Sequence, residues 1–183
     1  MTDERAALRE ALKRVAVELK HGQVAFALGG GYASWALGGP EPEHDVDFVV
    51  AEGDREHAAR VLQDAGLQVE HPPEDWLFKV FLDGAMVDVI HRIGGDPVEP
   101  ALLERAVETE VLSVRMPVLA ATDLLAGKMR ALSEHSCDYG KVLPSARALR
   151  EQVDWDRLRQ QVDGNAYAQA FLVLVERLGV APG

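Results

Sequence analysis

A run of three glycines behind a short apolar segment is the feature that most restricts how this chain folds. Residues 24–28 are apolar and typical of a short buried strand, and Gly29, Gly30 and Gly31 follow them directly. Because glycine has no Cβ, its backbone can turn sharply and approach another group closely. The pattern predicts a strand that turns through the glycines into a helix, with backbone N–H groups available to bind phosphate. Ser34, one helical turn further on, either adds a phosphate contact or faces the core.

Two aspartates separated by one residue open the next strand-like segment. Residues 45–51 read Asp-Val-Asp-Phe-Val-Val-Ala, and alternation along a strand puts Asp45 and Asp47 on one face. A third aspartate, Asp88, stands in the apolar run at 85–91, where it either faces solvent or joins the first two. Neighbouring carboxylates repel one another, and a divalent cation removes that cost. We therefore predict a site for Mg²⁺, or Mn²⁺ in its place, on these three aspartates, with Asp88 as a metal ligand or general base.

The segments up to about residue 120 alternate between helical and strand-like patterns. Residues 76–82 and 85–91 have the pattern of paired strands around an Asp-Gly dipeptide, which favours a hairpin. Residues 111–114 have an extended pattern. We expect an α+β fold, with a mixed β-sheet flanked by helices over residues 1–120.

Helical periodicity dominates the remainder of the chain. Thr122 is placed to act as the N-cap of a helix over residues 123–134, and two further helices are expected over residues 139–152 and 165–178. We expect a C-terminal helical region over residues 121–183.

Composition limits the class of protein. With 183 residues, of which 48% are hydrophobic, the chain is long enough for one domain with a helical appendage. No apolar run approaches the roughly 18 residues of a membrane span, and the polar start of the sequence does not have the pattern of a signal peptide. Cys137 is the single cysteine, which excludes an internal disulfide and a cysteine-rich zinc site. We expect a cytoplasmic protein without a membrane partner.

The charge is strongly acidic and unevenly distributed. A net charge of −11 argues against broad, non-specific attraction to nucleic acid. Acidic residues are concentrated between positions 41 and 110, whereas the segment at 115–150 is mildly basic. This asymmetry is compatible with a polyanionic substrate and also with ordinary solvated surfaces.

The ordered set of motifs resembles the nucleotidyltransferase superfamily typified by DNA polymerase β. The motifs that carry the resemblance are Gly30-Gly31-Tyr32-Ala33, then Asp45-Val46-Asp47, then Asp88 after a hairpin. The resemblance covers roughly residues 22–92. It implies a metal-dependent transfer of a nucleoside monophosphate from a nucleoside triphosphate to an acceptor hydroxyl.

A second set of residues is similar to the AbiEii-type (MenT-like) nucleotidyltransferases. The segment Thr-Asp-Leu-Leu-Ala-Gly-Lys-Met-Arg ends shortly after Lys128, and Asp138-Tyr139 opens the next helix. The resemblance implies that Lys128 contacts the nucleotide and takes part in catalysis, and that Asp138 belongs to the active site. Cys137 stands where the family has arginine, and His44 before the aspartate pair is closer to the aminoglycoside and lincosamide nucleotidyltransferases.

Three functions follow from these resemblances. The first is a toxin of a toxin–antitoxin system that modifies RNA, above all tRNA, with an antitoxin protein as partner. The second is an enzyme that transfers a nucleotide to a small hydroxyl compound such as an antibiotic, and the third is a catalytically inactive nucleotide-binding module.

Lys79 and Arg92, near the hairpin strands, are additional candidates for phosphate contacts.

Overall fold

A seven-stranded mixed sheet flanked by helices forms the centre of the computed structural model, which describes residues 2–42 and 44–183. The strands are β1 (Phe26–Leu28), β2 (Val46–Val50), β3 (Gln68–Glu70), β4 (Leu77–Leu82), β5 (Ala85–Ile90), β6 (Arg92–Ile93), β7 (Asp96–Pro97), β8 (Val107–Val111) and β9 (Val114–Val118). The helices are α1 (Thr2–His21), α2 (Gly30–Ala36), α3 (Arg55–Asp64), α4 (Pro100–Glu104), α5 (Ala121–Arg130), α6 (Tyr139–Leu149), α7 (Trp155–Gln161) and α8 (Ala166–Arg177). The predicted α+β fold is confirmed.

The strand order is β3-β4-β5-β2-β1-β9-β8, while β6 and β7 form a separate two-stranded ribbon. At the centre, β2 runs parallel to β5, and this register pairs Asp47 with Asp88. On the other side, β5 runs antiparallel to β4, and this register pairs Asp88 with Lys79. Paired residues of adjacent strands share one face of a sheet. The topology therefore brings two carboxylates and an ammonium group, distant in sequence, into one row.

The other residues of the central strands explain why the register is fixed. Phe48 and Val89 alternate with the polar residues and are fully buried, as is Val80 on β4. A slip of one residue would move these side chains out of the core and the carboxylates into it. Helix α1 packs against β4, β5 and β9, and its spacing of Leu12, Val15 and Leu19 is that of an amphipathic helix.

Helix α5 is the centre of the helical half of the molecule. It packs against α2, α6, α7 and α8, and its residues 121–126 are all buried. An acidic side chain, Asp123, lies within this buried stretch. None of the described helices combines the length and the apolarity needed to cross a membrane.

Three local predictions were wrong. Residues 107–118 form a hairpin whose turn is made by Leu112 and Ser113, both at positive φ, so the segment predicted as extended at 111–114 contains a turn. The N-cap position of α5 is occupied by Ala120, and Thr122 Oγ1 instead accepts a hydrogen bond from the Asp154 N–H at 2.9 Å. Helix α7 was not predicted. It is held by its own cap, since the Asp154 carboxylate accepts from the Arg157 N–H at 3.0 Å.

Candidate active site

A cavity of about 580 Å³ lies between the central strands and α5. Gly30 and Asp47 line one part of it, and Lys128 reaches it from α5. Much of its wall is apolar, and Trp76 and Arg92 also contribute to the lining. The cavity thus collects several of the chemically active residues that the sequence predicted.

Asp47 is held against the glycine turn. Gly30 has a φ of +56°, and a Cβ added at this position would collide with Asp47 Oδ2. A larger residue would therefore strain the backbone and displace the carboxylate. The Gly29 N–H donates to the Asp47 carbonyl oxygen at 2.8 Å, which fixes the turn to β2. The glycines were predicted to leave space for phosphate, and at Gly30 the protein's own carboxylate takes part of that space.

The other two glycines also have protein neighbours. A Cβ on Gly29 would lie 3.1 Å from Val49 Cγ2, and a Cβ on Gly31 would lie 2.7 Å from Pro42 Cβ. Among the three, Gly30 is the one that lines the cavity. In this structure, close packing explains Gly29 and Gly31, and their predicted contact with a nucleotide stays a prediction.

The pKa of Asp47 is raised from 3.8 to about 6. Burial is the largest cause, and the charges of Asp88 and Asp45 act in the same direction. The ammonium of Lys128 and a hydrogen bond from the Gly31 backbone lower it, but they do not compensate. Asp47 is therefore a carboxylate whose ionised form lacks sufficient positive charge nearby.

Asp88 already has a cationic partner. Lys79 Nζ donates to Asp88 Oδ1 at 2.9 Å, and both side chains are largely buried. Lys79 was a candidate for contacting phosphate, and the structure places its ammonium on the carboxylate instead. Asp88 faces the same side as Asp47 by register, as the prediction required.

Asp45 lies just before β2 and is exposed. Its charge acts on Asp47, so the three predicted metal ligands are close enough to interact. Within residues 2–42 and 44–183, however, no three His, Cys, Asp or Glu side chains form a group that could hold a metal ion. The three-carboxylate metal site stays a prediction.

Lys128 faces Asp47 across the cavity. It is half-buried on α5, and burial lowers the pKa of its ammonium while the Asp47 charge raises it. Desolvation of an ammonium strengthens its interaction with any anion that enters the same space. Lys128 and Asp47 are thus two imperfectly balanced charges that face one enclosed volume.

Two predicted site residues do not line the cavity. Ser34 is buried, and its hydroxyl makes a hydrogen bond of 3.1 Å with Ser145 Oγ of α6. Asp138 is exposed and caps α6, where its carboxylate accepts from the Gly140 N–H at 3.0 Å. Each has a structural role in joining or starting a helix, and the structure does not bring either to Asp47.

Arg92 lines the cavity beyond the end of β5, at the start of the β6–β7 ribbon. Its Nε donates to Glu52 Oε1 at 2.6 Å, which orients the guanidinium and neutralises part of its charge. Arg92 is therefore placed to contact a bound group, but with less free positive charge than its sequence position suggested.

The role of Asp123 was not predicted from the sequence. Its side chain is 1% exposed and lines the cavity from α5. Arg105 donates to both of its oxygens at 3.1 and 3.0 Å, Gln161 donates at 2.9 Å, and Arg157 forms an ion pair with it. Burial alone would raise the pKa of Asp123, but these donors hold it below its ordinary value. The signal available in the sequence was an aspartate inside an otherwise apolar helical stretch, and its partners come from α7 and the end of α4.

Comparisons with known proteins relate the chain to one class of enzyme. The model of a family described as "Uncharacterised nucleotidyltransferase" matches residues 2–182. No curated protein sequence matches the chain.

Solved structures share the fold. A structure of ANT(2″)-Ia in complex with adenylyl-2″-tobramycin is similar over 91% of this chain and 97% of that chain, with 12% identity and a TM-score of 0.62. An antigenic nucleotidyltransferase-like protein from Paracoccidioides brasiliensis is similar over 94% of this chain and 88% of that chain, with 14% identity and a TM-score of 0.56. At such low identities the likeness establishes the fold alone.

Proposed function

The chain belongs to this family of uncharacterised nucleotidyltransferases, and we propose that it transfers a nucleoside monophosphate from a nucleoside triphosphate to a hydroxyl of a small, positively charged acceptor, with pyrophosphate as the leaving group. The observation that carries the proposal is the pair formed by Asp47 and Lys128 across one cavity. The Asp47 carboxylate lacks sufficient positive charge nearby and is suited to a metal ion. The partly desolvated Lys128 ammonium is suited to the negative charge of the triphosphate.

Nucleotidyltransferases use nucleoside triphosphates and usually a divalent metal, and Asp45 and Asp47 offer the type of ligand atom that such an ion takes. Carboxylate oxygens are the ligands that Mg²⁺ prefers, and the glycine at position 30 leaves the Asp47 carboxylate room beside the backbone. In the proposal, Asp47 and Asp45 would hold the metal, and Asp88 would complete the set or accept the proton of the acceptor hydroxyl. A bound dication would supply charge stabilisation at the triphosphate.

Residues of the chain bind the phosphates and position the reacting groups in the proposal. Lys128 neutralises charge on the phosphates, and its half-buried position makes that interaction stronger than it would be in water. Gly30 and Asp47 fix the position of the reacting phosphate relative to the acceptor. Lys79 orients Asp88 through their 2.9 Å ion pair.

The charge around the cavity favours a small cationic acceptor over RNA. Arg55 is shared among the carboxylates of Glu52, Glu56 and Asp75, and Arg92 is paired with Glu52 as well. Basic side chains on this side of the molecule are thus largely neutralised, and the whole chain carries −11. A polyanion would be repelled by such a surface, whereas a cation would be attracted to it. ANT(2″)-Ia, with adenylyl-2″-tobramycin bound, gives a precedent on the same fold.

The test incubates the protein with Mg²⁺ and each of the four radiolabelled nucleoside triphosphates. Parallel reactions contain an aminoglycoside mixture, an uncharged polyhydroxyl compound or total tRNA as acceptor. We expect label to move to the cationic compounds. Label on the uncharged compound or on tRNA would contradict the proposed acceptor, and no label on any acceptor would contradict nucleotidyl transfer to these hydroxyl classes.

A second candidate is an RNA acceptor, as in the AbiEii-type toxins. The observation that favours it is the exposed basic surface of α6, where the Lys141 side chain is 84% exposed and Arg147 is also exposed. In this version the protein modifies tRNA, inhibits growth and has an antitoxin as partner. Expression should then arrest growth, and the Asp47→Asn variant should relieve the arrest.

A further inference from the structure

Trp76 is an exposed aromatic side chain inside the candidate site. It is 44% exposed and lines the same cavity as Asp47 and Lys128. Large aromatic side chains gain most from burial, so an indole left open toward a cavity is an available contact surface.

The backbone of Trp76 is held firmly. Its carbonyl oxygen accepts from the His91 N–H at 2.9 Å and from the Arg92 N–H at 3.2 Å. These bonds continue the β4–β5 pairing by one step beyond Leu77 and Ile90. The backbone that carries the indole is therefore anchored to the end of the β4–β5 hairpin.

Trp76 and the acidic row are separated along the sheet. The Trp76 backbone lies opposite His91, which is three residues beyond Asp88, so the rise of a strand separates the Trp76 and Asp88 backbones by roughly 10 Å. Regular strand alternation would place Trp76 on the other face of the sheet, but Trp76 lies in the turn before β4 and lines the cavity. Asp47 lies beside Asp88 in the register. One end of the cavity thus holds charged groups suited to phosphates, and the other end holds an aromatic face.

The aromatic end of the cavity combines apolar side chains with the charged residues Asp75 and Arg92. Ile90 and Ile93 line it beside Trp76, and the tip of the β6–β7 ribbon closes on α5, where a Cβ on Gly94 would lie 3.5 Å from Arg130 Cβ. An ion pair between Arg130 and Asp96 ties the ribbon to the helix. A flat, weakly polar ring matches this space, whereas a saturated, heavily hydroxylated compound would lose water there without replacement hydrogen bonds.

We infer that Trp76 is the platform on which the base of the nucleoside triphosphate stacks, an inference that rests on the proposed nucleotidyl transfer. The triphosphate lies toward Asp47 and Lys128, and the base lies between the indole and the apolar wall. Stacking of a base on an aromatic side chain tolerates different bases because each base presents a π-face. Trp76 then contributes to nucleotide affinity without setting strong base preference.

The experiment measures the binding of two probes by calorimetry, a non-hydrolysable nucleoside triphosphate and inorganic triphosphate. The variants are Trp76→Ala and Trp76→Phe. The control is Val173→Ala, because Val173 on α8 is also an exposed hydrophobic residue, with 56% exposure. For Trp76→Ala we expect the nucleotide Kd to rise about 10- to 100-fold with the triphosphate Kd unchanged. Trp76→Phe should retain most of the affinity, and Val173→Ala should bind both probes as the natural protein does.

Intrinsic fluorescence gives a second measurement. The other two tryptophans have protein environments, since Trp35 packs edge-on against Tyr32 and Trp155 is buried. The nucleotide should quench fluorescence in the natural protein, and the Trp76→Phe variant should lose that quenching.

The outcomes separate the two claims. If Trp76→Ala weakens neither probe, or weakens both equally, Trp76 is not a base platform, although nucleotidyl transfer stands. If the natural protein binds neither probe in the presence of Mg²⁺, the proposed function fails and the inference fails with it.

Discussion

Asp47 and Asp123 are two aspartates that line the same cavity from opposite sides and have opposite electrostatic surroundings. Burial and the charges of Asp88 and Asp45 raise the pKa of Asp47 to about 6. Asp123 is also buried, but hydrogen bonds from Arg105, Arg157 and Gln161 hold its pKa below the ordinary value. An aspartate side chain thus lacks sufficient positive charge at position 47, whereas hydrogen-bond donors surround it at position 123.

The difference distinguishes the carboxylate that we propose as functional, Asp47, from one that stabilises the fold, Asp123. Asp123 joins α5 to α7 and to the end of α4, and its ionised form stabilises the fold. The ionised form of Asp47 destabilises the fold, which is the signature of a group arranged for a ligand that brings positive charge. Substitutions at these two positions should therefore have opposite effects on activity and stability.

The largest expected effect is on activity at Asp47. Asp47→Asn keeps the shape of the side chain but removes the charge proposed to hold the metal, so transfer should fall about 1,000-fold, or roughly 4 kcal/mol in the barrier. Labelled-nucleotide transfer measures it, with Asp64→Asn, an exposed carboxylate on α3, as the control. Near-normal transfer by Asp47→Asn would remove Asp47 from the active site.

Next in size is the loss of stability at Asp123. Asp123→Ala removes a buried carboxylate from the partly exposed Arg105 and Arg157, and loss of these charge-assisted hydrogen bonds should cost about 3 kcal/mol. Urea denaturation measures the free energy of unfolding. The control is Asp156→Ala, whose side chain is 92% exposed and which should change stability by less than about 0.5 kcal/mol. Equal effects of the two substitutions would show that the buried cluster does not hold the helices together.

A smaller loss of activity is expected at Lys128. Lys128→Met keeps the length of the side chain but removes the ammonium that faces Asp47, and transfer should fall about 100-fold, or roughly 2.7 kcal/mol. The KM for the nucleoside triphosphate should rise, because the loss lies in phosphate neutralisation. Lys20→Met near the end of α1 is the control, since that side chain is exposed and does not line the cavity. An unchanged rate in Lys128→Met would place Lys128 outside the reaction.

The smallest effect concerns the pH dependence of stability in the metal-free protein. A carboxyl group whose pKa is raised on folding stabilises the fold below its unfolded pKa and loses that contribution as pH rises through the folded value. For Asp47 this window lies between about pH 4 and its folded value of about 6.

The Asp47→Asn variant has no carboxyl group at this position, so it does not lose stability through this group as the pH rises. With a chelator present, the variant should therefore gain about 1–2 kcal/mol in unfolding free energy over the natural protein between pH 4 and pH 7. Asp123 has the opposite sign, because its stabilisation is present above the ordinary pKa and is lost as pH falls. A constant difference between Asp47→Asn and the natural protein across this range would contradict the raised pKa.

Much of the fold was predictable because it depends on local patterns. The amphipathic spacing of α1, the glycine turn and the Asp-Gly hairpin between β4 and β5 are all visible within a few residues of sequence. The β8–β9 turn was missed because Leu112 and Ser113 are not residues that usually adopt positive φ. Helix α7 was missed because it spans only Trp155–Gln161 and is stabilised by contacts with α5.

The candidate site was predictable in part. Asp47, Asp88 and Lys128 belong to recognisable motifs, and the structure brings all three to one region. Ser34 and Asp138 belong to the same motifs but serve helix packing and helix capping here. Trp76 lay outside the motifs, because an aromatic residue at the start of a strand is ordinary in a sequence, and its significance lies in the cavity it faces.

The sequence alone determined the identity and order of the acidic residues, the elements that carry them and the class of chemistry they support, since each depends on neighbouring residues and their spacing. The tertiary structure decided which charges are neutralised. Lys79 stands nine positions before Asp88, and Arg105 eighteen before Asp123, yet each meets its partner through strand register or helix packing. Electrostatic energy depends on distance and burial in space, and those quantities are fixed only when the chain is folded.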